Sequence, residues 1–328
     1  MNKFLKISLV VFIMSGLNFE IGAEQNLSHA QRASSFEQSR KAMVERIANR
    51  GDLPYATVQR QLEMVNQLSE FELGRFLIER GGLNGYWTHY VITYPEKKEI
   101  EGKPKPFNSL ESFILDSAPT CLATQQRYQI FKSQIQQRIK EGCSFASIPC
   151  GLMGELLDLD YSGLDTFSLW GIDLDAETLD QAREHAAEQG LLIQSHFLEK
   201  DAWKLDLEEQ FDLIASNGLA IYEHDDQKVV LLYKQFFDAL KPNGVLVTSF
   251  LTPPPAPGLT TAWLSAEVRP QDAILQKILF VDVLGVKWQA YRTEETVRNQ
   301  LKQAGFCEIE ILYDKAHIFP TVIAKKSS

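Results

Sequence analysis

Apolar positions recur at helical spacing through the first quarter of the chain. Met43 and Ile47 stand four apart, and Leu62, Val65, Leu68 and Phe71 follow in steps of three. Ser34 to Arg80 is therefore expected to be helical with a polar outer face. The pattern breaks at Gly81-Gly82-Leu83-Asn84-Gly85-Tyr86-Trp87-Thr88-His89-Tyr90, which reads as a glycine-rich loop carrying Tyr86, Trp87 and Tyr90. A Lys-, Pro- and Glu-rich stretch from Pro95 to Pro106 reads as an exposed loop. Helix returns over Thr124 to Glu141, with Tyr128, Phe131, Ile135 and Ile139 on one face.

After Gly142 short apolar runs alternate with helical ones. Strands are expected at Ser144 to Cys150, Phe167 to Asp173, Leu191 to Phe197, Phe211 to Ser216 and Val245 to Phe250. Helices are expected from Gly154 to Leu159, from Ala176 to Gln189 with Asp175 as N-cap and Gly190 as stop, and from Asp225 to Leu240 before the turn Lys241-Pro242-Asn243-Gly244. That alternation is the pattern of a doubly wound α/β domain. The proline run Pro253-Pro254-Pro255-Ala256-Pro257 opens an insertion, residues 252–291, after which a helix from Thr293 to Gly305 resumes the fold. The last two strands, Glu308 to Tyr313 and Thr321 to Lys325, are too close for a helical crossover and should pair antiparallel. Three segments follow: a signal-like or extension segment over 1–23, a helical lid or substrate region over 24–141, and an α/β domain over 142–328.

Composition excludes some functions. The formal charge of −10, from 33 Lys and Arg against 43 Asp and Glu, opposes nucleic-acid binding by phosphate neutralisation. Cys121, Cys143, Cys150 and Cys307 form no CxxC pair and have no His at metal-ligand spacing, so neither a zinc site nor a disulfide framework is suggested. At the N-terminus Lys3 and Lys6 precede an apolar run, Ile7 to Leu17, with Ala23 beyond it. This is the layout of a secretory signal, too short for a stable membrane span, and Met14 inside the run offers an alternative start.

In an open α/β sheet, ligands bind beyond the carboxyl ends of the strands. The first such end reads Ile148-Pro149-Cys150-Gly151-Leu152-Met153-Gly154, where Gly151 and Gly154 allow close approach to the backbone. Asp173, 22 residues after Gly151, ends the second strand, as an acid that accepts from both ribose hydroxyls would. Asp201, followed by Ala202 and Trp203, ends the third, at the place for an adenine amino group. Asn217 and Gly218 follow the fourth, near the expected reacting atom.

This ordered set resembles the class I S-adenosylmethionine-dependent methyltransferases over Ser144 to Lys326. The resemblance implies a seven-stranded sheet with an antiparallel last strand and S-adenosylmethionine as cofactor, bordered by Pro149, Cys150, Gly151, Gly154, Asp173, Leu174, Asp201, Ala202, Asn217 and Gly218. Two positions depart from the family's first motif, Ser147 in place of its acid and Pro149 in place of its first glycine. The expected activity is methyl transfer to a small or medium-sized acceptor through oxygen or nitrogen, with the helical region and the insertion forming the acceptor pocket. Glu223 and His224 are candidates for a base and Tyr222 for orienting the acceptor, with N-terminal support of the next helix as the competing role of the acids. Tyr86, Trp87 and Tyr90 form either an aromatic lid or ordinary core. The alternatives are a non-catalytic sensor that binds S-adenosylmethionine and, within enzymes, an NAD-dependent oxidoreductase. Because the methyl donor is made in the cytoplasm, a cytoplasmic protein is expected, with export or tethering as the alternative. Oligomeric state is left open.

Overall fold

The computed structural model describes residues 35–99, 106–255, 261–286 and 290–328. The signal-like segment 1–23, residues 100–105 of the Lys- and Pro-rich stretch and residues 256–260 of the proline run lie outside them. The chain divides into two units, Met1–Gln125 with Pro253–Lys287 and Gln126–Thr252 with Trp288–Ser328. The boundary thus falls at Gln125/Gln126 rather than after Glu141, and most of the insertion clusters with the N-terminal helices.

The first unit begins with α1 (Phe36–Arg50), opened by a reciprocal capping box between Ser35 and Gln38. It continues with α2 (Val58–Leu68), capped by Thr57, and α3 (Glu72–Arg80), stopped by left-handed Gly81. The expected aromatic loop is instead the start of a helix, α4 (Gly85–Glu99). Asn84 explains the difference, because its side chain accepts from the Trp87 amide at 3.0 Å and caps the helix. Pro95 does not end α4; Val91, Ile92, Thr93 and Tyr94 are buried just before it. Next come α5 (Ser109–Asp116), capped by Asn108, and α6 (Pro119–Gln136), whose last turns belong to the second unit.

The second unit is built on a sheet in the order β3-β2-β1-β4-β5-β7-β6. β1 (Cys143–Ser147), β2 (Phe167–Asp173), β3 (Ser195–Glu199), β4 (Phe211–Ser216) and β5 (Leu240–Ser249) run parallel to one another. Between them run α7 (Gly154–Leu157), α8 (Ala176–Glu188), capped by Asp175, and α9 (Asp226–Ala239), capped by Asp225. β3 begins at Ser195, not Leu191, because Leu192–Gln194 forms a 3₁₀ turn. The turn expected at Lys241 to Gly244 lies inside β5, which starts at Leu240 and shifts register opposite Phe211 to Leu213, with Asn243 left-handed at φ 64°.

The insertion carries α10 (Pro270–Gln276) and a π-helical turn, Lys277–Val283, and both belong to the first unit. Gln276 accepts from the amide and hydroxyl of Thr120, each at 2.8 Å, while Arg46 and Arg50 each donate to the Asp282 carbonyl at 3.0 Å. These bonds anchor the insertion far along the chain from its own strand. The sheet unit closes with α11 (Glu294–Ala304), β6 (Cys307–Leu312) and β7 (Thr321–Lys325), and β7 is antiparallel to both β5 and β6, as the short connection requires.

Alternation along the strands supplies two cores. Ala146, Ile214 and Leu246 pack with Val229, Leu232, Tyr233 and Phe236 of α9 and Val297 and Leu301 of α11. Phe145, Leu213 and Val247 face the opposite way and pack with Phe131 and Ile135 of α6, Leu156 of α7 and Leu179 and Ala182 of α8. Helices therefore cover both faces, and the carboxyl ends of the parallel strands are left to loops.

Gly171 lets the turn after β1 lie close to β2, since a Cβ there would stand 2.5 Å from Met153 Sδ and 3.3 Å from Cys150 Sγ. Gly171→Ala is expected to lower unfolding free energy by roughly 1 to 3 kcal/mol. An unchanged urea midpoint would contradict this packing.

Candidate cofactor and acceptor site

The turn after β1 is held by β2. The Cys150 amide donates to the Ile172 carbonyl at 3.0 Å, and the Gly151 amide donates to Asp173 Oδ2 at 3.3 Å. Asp173 Oδ1 accepts from the Asp175 amide at 3.1 Å, so one carboxylate ties the turn to the entry of α8. Burial pushes the Asp173 carboxyl up from its ordinary value, and the backbone N–H groups of Asp175 and Gly151 oppose that shift. Gly151 and Met153 are both left-handed, at φ 49° and 55°; only the second carries a Cβ into that region. Pro149 follows a cis peptide bond, and Cys150 and Gly154 are buried.

Next to Asp173, Leu174 is 56% exposed, an apolar side chain left open at the end of β2. Asp201 accepts from the Trp203 amide at 2.9 Å and caps the turn Ala202–Lys204. The Trp203 indole is committed to α9, its Nε1 donating to the Lys228 carbonyl at 2.9 Å. After β4, Asn217 Oδ1 is buried with no partner and Gly218 is left-handed at φ 91°. Asp173, Asp201 and the Asn217-Gly218 pair thus end three different strands of one sheet.

Two charged residues that the sequence reading did not single out sit at the same edge. Glu155 of α7 is 5% exposed and accepts from the Ser147 hydroxyl at 2.5 Å. A carboxylate therefore reaches the end of β1 from the helix, where Ser147 stands at the position that is acidic in the family motif. Burial pushes Glu155 up to about 6, against the Ser147 hydrogen bond and the pull of Arg127. Arg127 of α6 is 7% exposed; its Nη1 donates to Ser249 Oγ at 3.3 Å, and its guanidinium lies 4.7 Å from the Phe319 ring centre. Glu155 had a signal in the sequence, as the first acid after the glycine turn. Arg127 had none, because it lies among the polar positions of an amphipathic helix.

The residues expected to face the acceptor are engaged differently. Tyr222 ends a 3₁₀ turn, Leu219–Tyr222, and is 40% exposed, while desolvation of the phenol raises its pKa against the pull of Arg127. Glu223 Oε1 accepts from the Asp225 amide at 2.8 Å, and Asp225 caps α9 through the amides of Gln227 and Lys228. His224 is exposed. Tyr86, Trp87 and Tyr90 belong to the helical unit, where Trp87 meets both tyrosines edge-on, at 5.0 and 5.4 Å between ring centres, and lies 6.1 Å from Phe76. The Tyr90 hydroxyl donates to Glu111 Oε1 at 3.4 Å.

A family model described as a methyltransferase domain matches residues 149–244, the stretch from the glycine turn to the start of β5. The chain thus contains a methyltransferase domain, and its seven-stranded sheet with an antiparallel last strand is the class I S-adenosylmethionine-dependent methyltransferase fold. A crystal structure of a Bordetella parapertussis protein described as a possible exported protein is 42% identical, with 90% of this chain and 98% of that one covered and a TM-score of 0.82. A methyltransferase of Methanosarcina mazei is 17% identical over 59% of this chain and 97% of its own, with a TM-score of 0.42. The 1,6-didemethyltoxoflavin-N1-methyltransferase of Burkholderia thailandensis, solved with S-adenosylhomocysteine, is 15% identical over 62% and 79%, with a TM-score of 0.43. No curated protein matches the chain.

The cofactor of the family is S-adenosylmethionine, and the residues present fit it. Asp173 keeps carboxylate lone pairs beyond its two backbone bonds, Leu174 offers an exposed apolar surface, and Asn217 Oδ1 lacks a donor.

Glu155 gives a pH prediction. Its folded pKa of about 6 lies above the ordinary 4.5, so the carboxyl favours its neutral form in the folded state. Its contribution to stability is fully present below about 4.5 and is lost as pH rises through about 6. Glu155→Gln should be more stable than the natural protein by about 2 kcal/mol near pH 8, with the gap closing near pH 4. Urea denaturation at both pH values checks this, and a gap independent of pH would contradict it.

Proposed function

We propose that the protein transfers a methyl group from S-adenosylmethionine to an oxygen or nitrogen nucleophile of a small or medium-sized acceptor. The observation that carries this reading is the Asp173 carboxylate at the end of β2, tied to the glycine turn and flanked by exposed Leu174. In this reading Pro149, Cys150, Gly151 and Gly154 border the methionyl end, Asp173 and Leu174 the ribose, and Asp201 and Ala202 the adenine. Asn217 and Gly218 stand nearest the methyl group.

S-adenosylmethionine, when bound, supplies a methyl group activated by its sulfonium. The chain's own task is alignment and exclusion of water, which suffice when the nucleophile arrives without its proton. Gly151 and Gly218 leave backbone without side chains where ligand must pass, and Asn217 accepts an N–H or O–H.

Glu223 is better suited to supporting α9 than to accepting a substrate proton, since its carboxylate already holds the Asp225 amide. Among the described residues, no hydrogen bond orients the ring of exposed His224. Glu223→Gln and His224→Asn are accordingly expected to turn over within about threefold of the natural protein, well short of the 10² to 10⁴ that a general base contributes. A hundredfold loss in either variant, with cofactor affinity unchanged, would assign it as the base.

Asp173→Ala removes a paired ribose contact and is expected to weaken S-adenosylhomocysteine binding by roughly 1.5 to 3 kcal/mol, about tenfold to a hundredfold. Unchanged affinity by calorimetry would contradict the assignment of Asp173, and a natural protein that prefers NAD would overturn the reading as a whole.

Location follows from the cofactor. A cytoplasmic protein has direct access to the methyl donor, and among the described residues no helix is long and apolar enough to cross a membrane. The alternative, export, is favoured by the Lys3-to-Ala23 pattern and by the description of the Bordetella protein. Protein recovered from its own cell with a mature N-terminus at Glu24 would establish export.

A further inference from the structure

Arg127 is a buried cation whose side chain is largely unspent. Its only hydrogen bond among the described residues is the one from Nη1 to Ser249 Oγ, and its Nε has no partner. An unpaired buried guanidinium is costly, and native structures ordinarily supply it with a carboxylate. The neighbouring acids are committed elsewhere. Both Asp314 oxygens accept from the backbone amides of Ala316, Ile318 and Phe319, and Glu155 accepts from Ser147. Neither forms an ion pair with Arg127 among the described residues. Burial lowers the Arg127 pKa only to about 10, so the charge persists at neutral pH.

The position of this charge is specific. Nη1 lies 3.5 Å from where a Cβ of Gly218 would stand, with Ile221 Cδ1 at 3.4 Å, so the guanidinium abuts the Gly218 backbone at the end of β4. Ser249 ends β5, and Phe319 directly precedes the β7 region. In the sheet order β3-β2-β1-β4-β5-β7-β6 the ribose-side acid is on β2 and the glycine turn on β1. Moving along that order past the methyl position leads to β4, β5 and β7, where Arg127 sits. One residue before Gly218, the buried Asn217 Oδ1 also lacks a partner and asks for a donor.

We propose that Arg127 is the anchor for a carboxylate on the acceptor, so that the substrates of this enzyme are small carboxylic acids carrying an O–H or N–H as well. A guanidinium edge matches a planar carboxylate in two parallel hydrogen bonds, which fixes orientation as well as position. The proposal rests on the methyltransferase reading above. The same chemistry is available from the carboxylate at the methionyl end of the cofactor, and the test separates the two sources.

Benzoate and its neutral isostere benzamide are titrated by calorimetry into the full-length protein saturated with S-adenosylhomocysteine. Benzoate is expected to bind at least tenfold more tightly than benzamide, a comparison that requires no variant. In Arg127→Met that preference should vanish and in Arg127→Lys it should be partly kept, while affinity for S-adenosylhomocysteine stays within about threefold of the natural protein. Equal binding of the two probes, or a benzoate preference that survives in Arg127→Met, overturns the proposal. So does a tenfold loss of S-adenosylhomocysteine affinity in Arg127→Met with 5′-methylthioadenosine affinity unchanged, which assigns the guanidinium to the cofactor's own carboxylate. Failure of the natural protein to bind S-adenosylhomocysteine at all removes the methyltransferase reading, and this proposal with it.

Discussion

One carboxylate sets the spacing on which the site depends. By accepting from the amides of Gly151 and Asp175, Asp173 fixes the turn after β1 against the entry to α8. The Gly171 backbone lies in the space beneath, filled by Met153 and Cys150. Without this tie the first turn would lose one of its two bonds to β2, the other being from the Cys150 amide to the Ile172 carbonyl. The cost is a carboxylate held partly out of water, and its raised pKa reflects that desolvation.

Further along the same edge, buried polar groups are only partly paired. Glu155 is carried to the end of β1 by α7, Arg127 to the ends of β4 and β5 by α6, and Asn217 Oδ1 waits between them. Arg127 Nε and Asn217 Oδ1 are thus left without partners among the described residues near strand ends, with well-packed apolar layers on both faces behind them.

Much of the sheet unit was legible from the chain. β2, β4 and β7 have the expected bounds, Asp175 and Asp225 cap the expected helices, and the closing strands pair antiparallel because their connection permits nothing else. Period-two burial and cap chemistry are local, so they survive without knowledge of neighbours. The helical unit was less legible. Glycines and aromatics around Tyr86 suggested a loop, but Asn84 starts a helix there and packing carries it through Pro95. Arg127 was illegible for a deeper reason: its value comes from Ser249 and Phe319, more than a hundred residues away, and from the acids near it that are bound elsewhere.

The central claim is that the ends of β2, β3 and β4 hold one adenosyl ligand. A crystal structure of the full-length protein grown with S-adenosylhomocysteine tests it most directly. The account predicts ribose hydroxyls within hydrogen-bond distance of Asp173, adenine between Leu174 and Asp201, and sulfur beside Asn217 and Gly218. Nucleoside density elsewhere on the protein, or Asp173 retaining only its bonds to Gly151 and Asp175 in the complex, would contradict it.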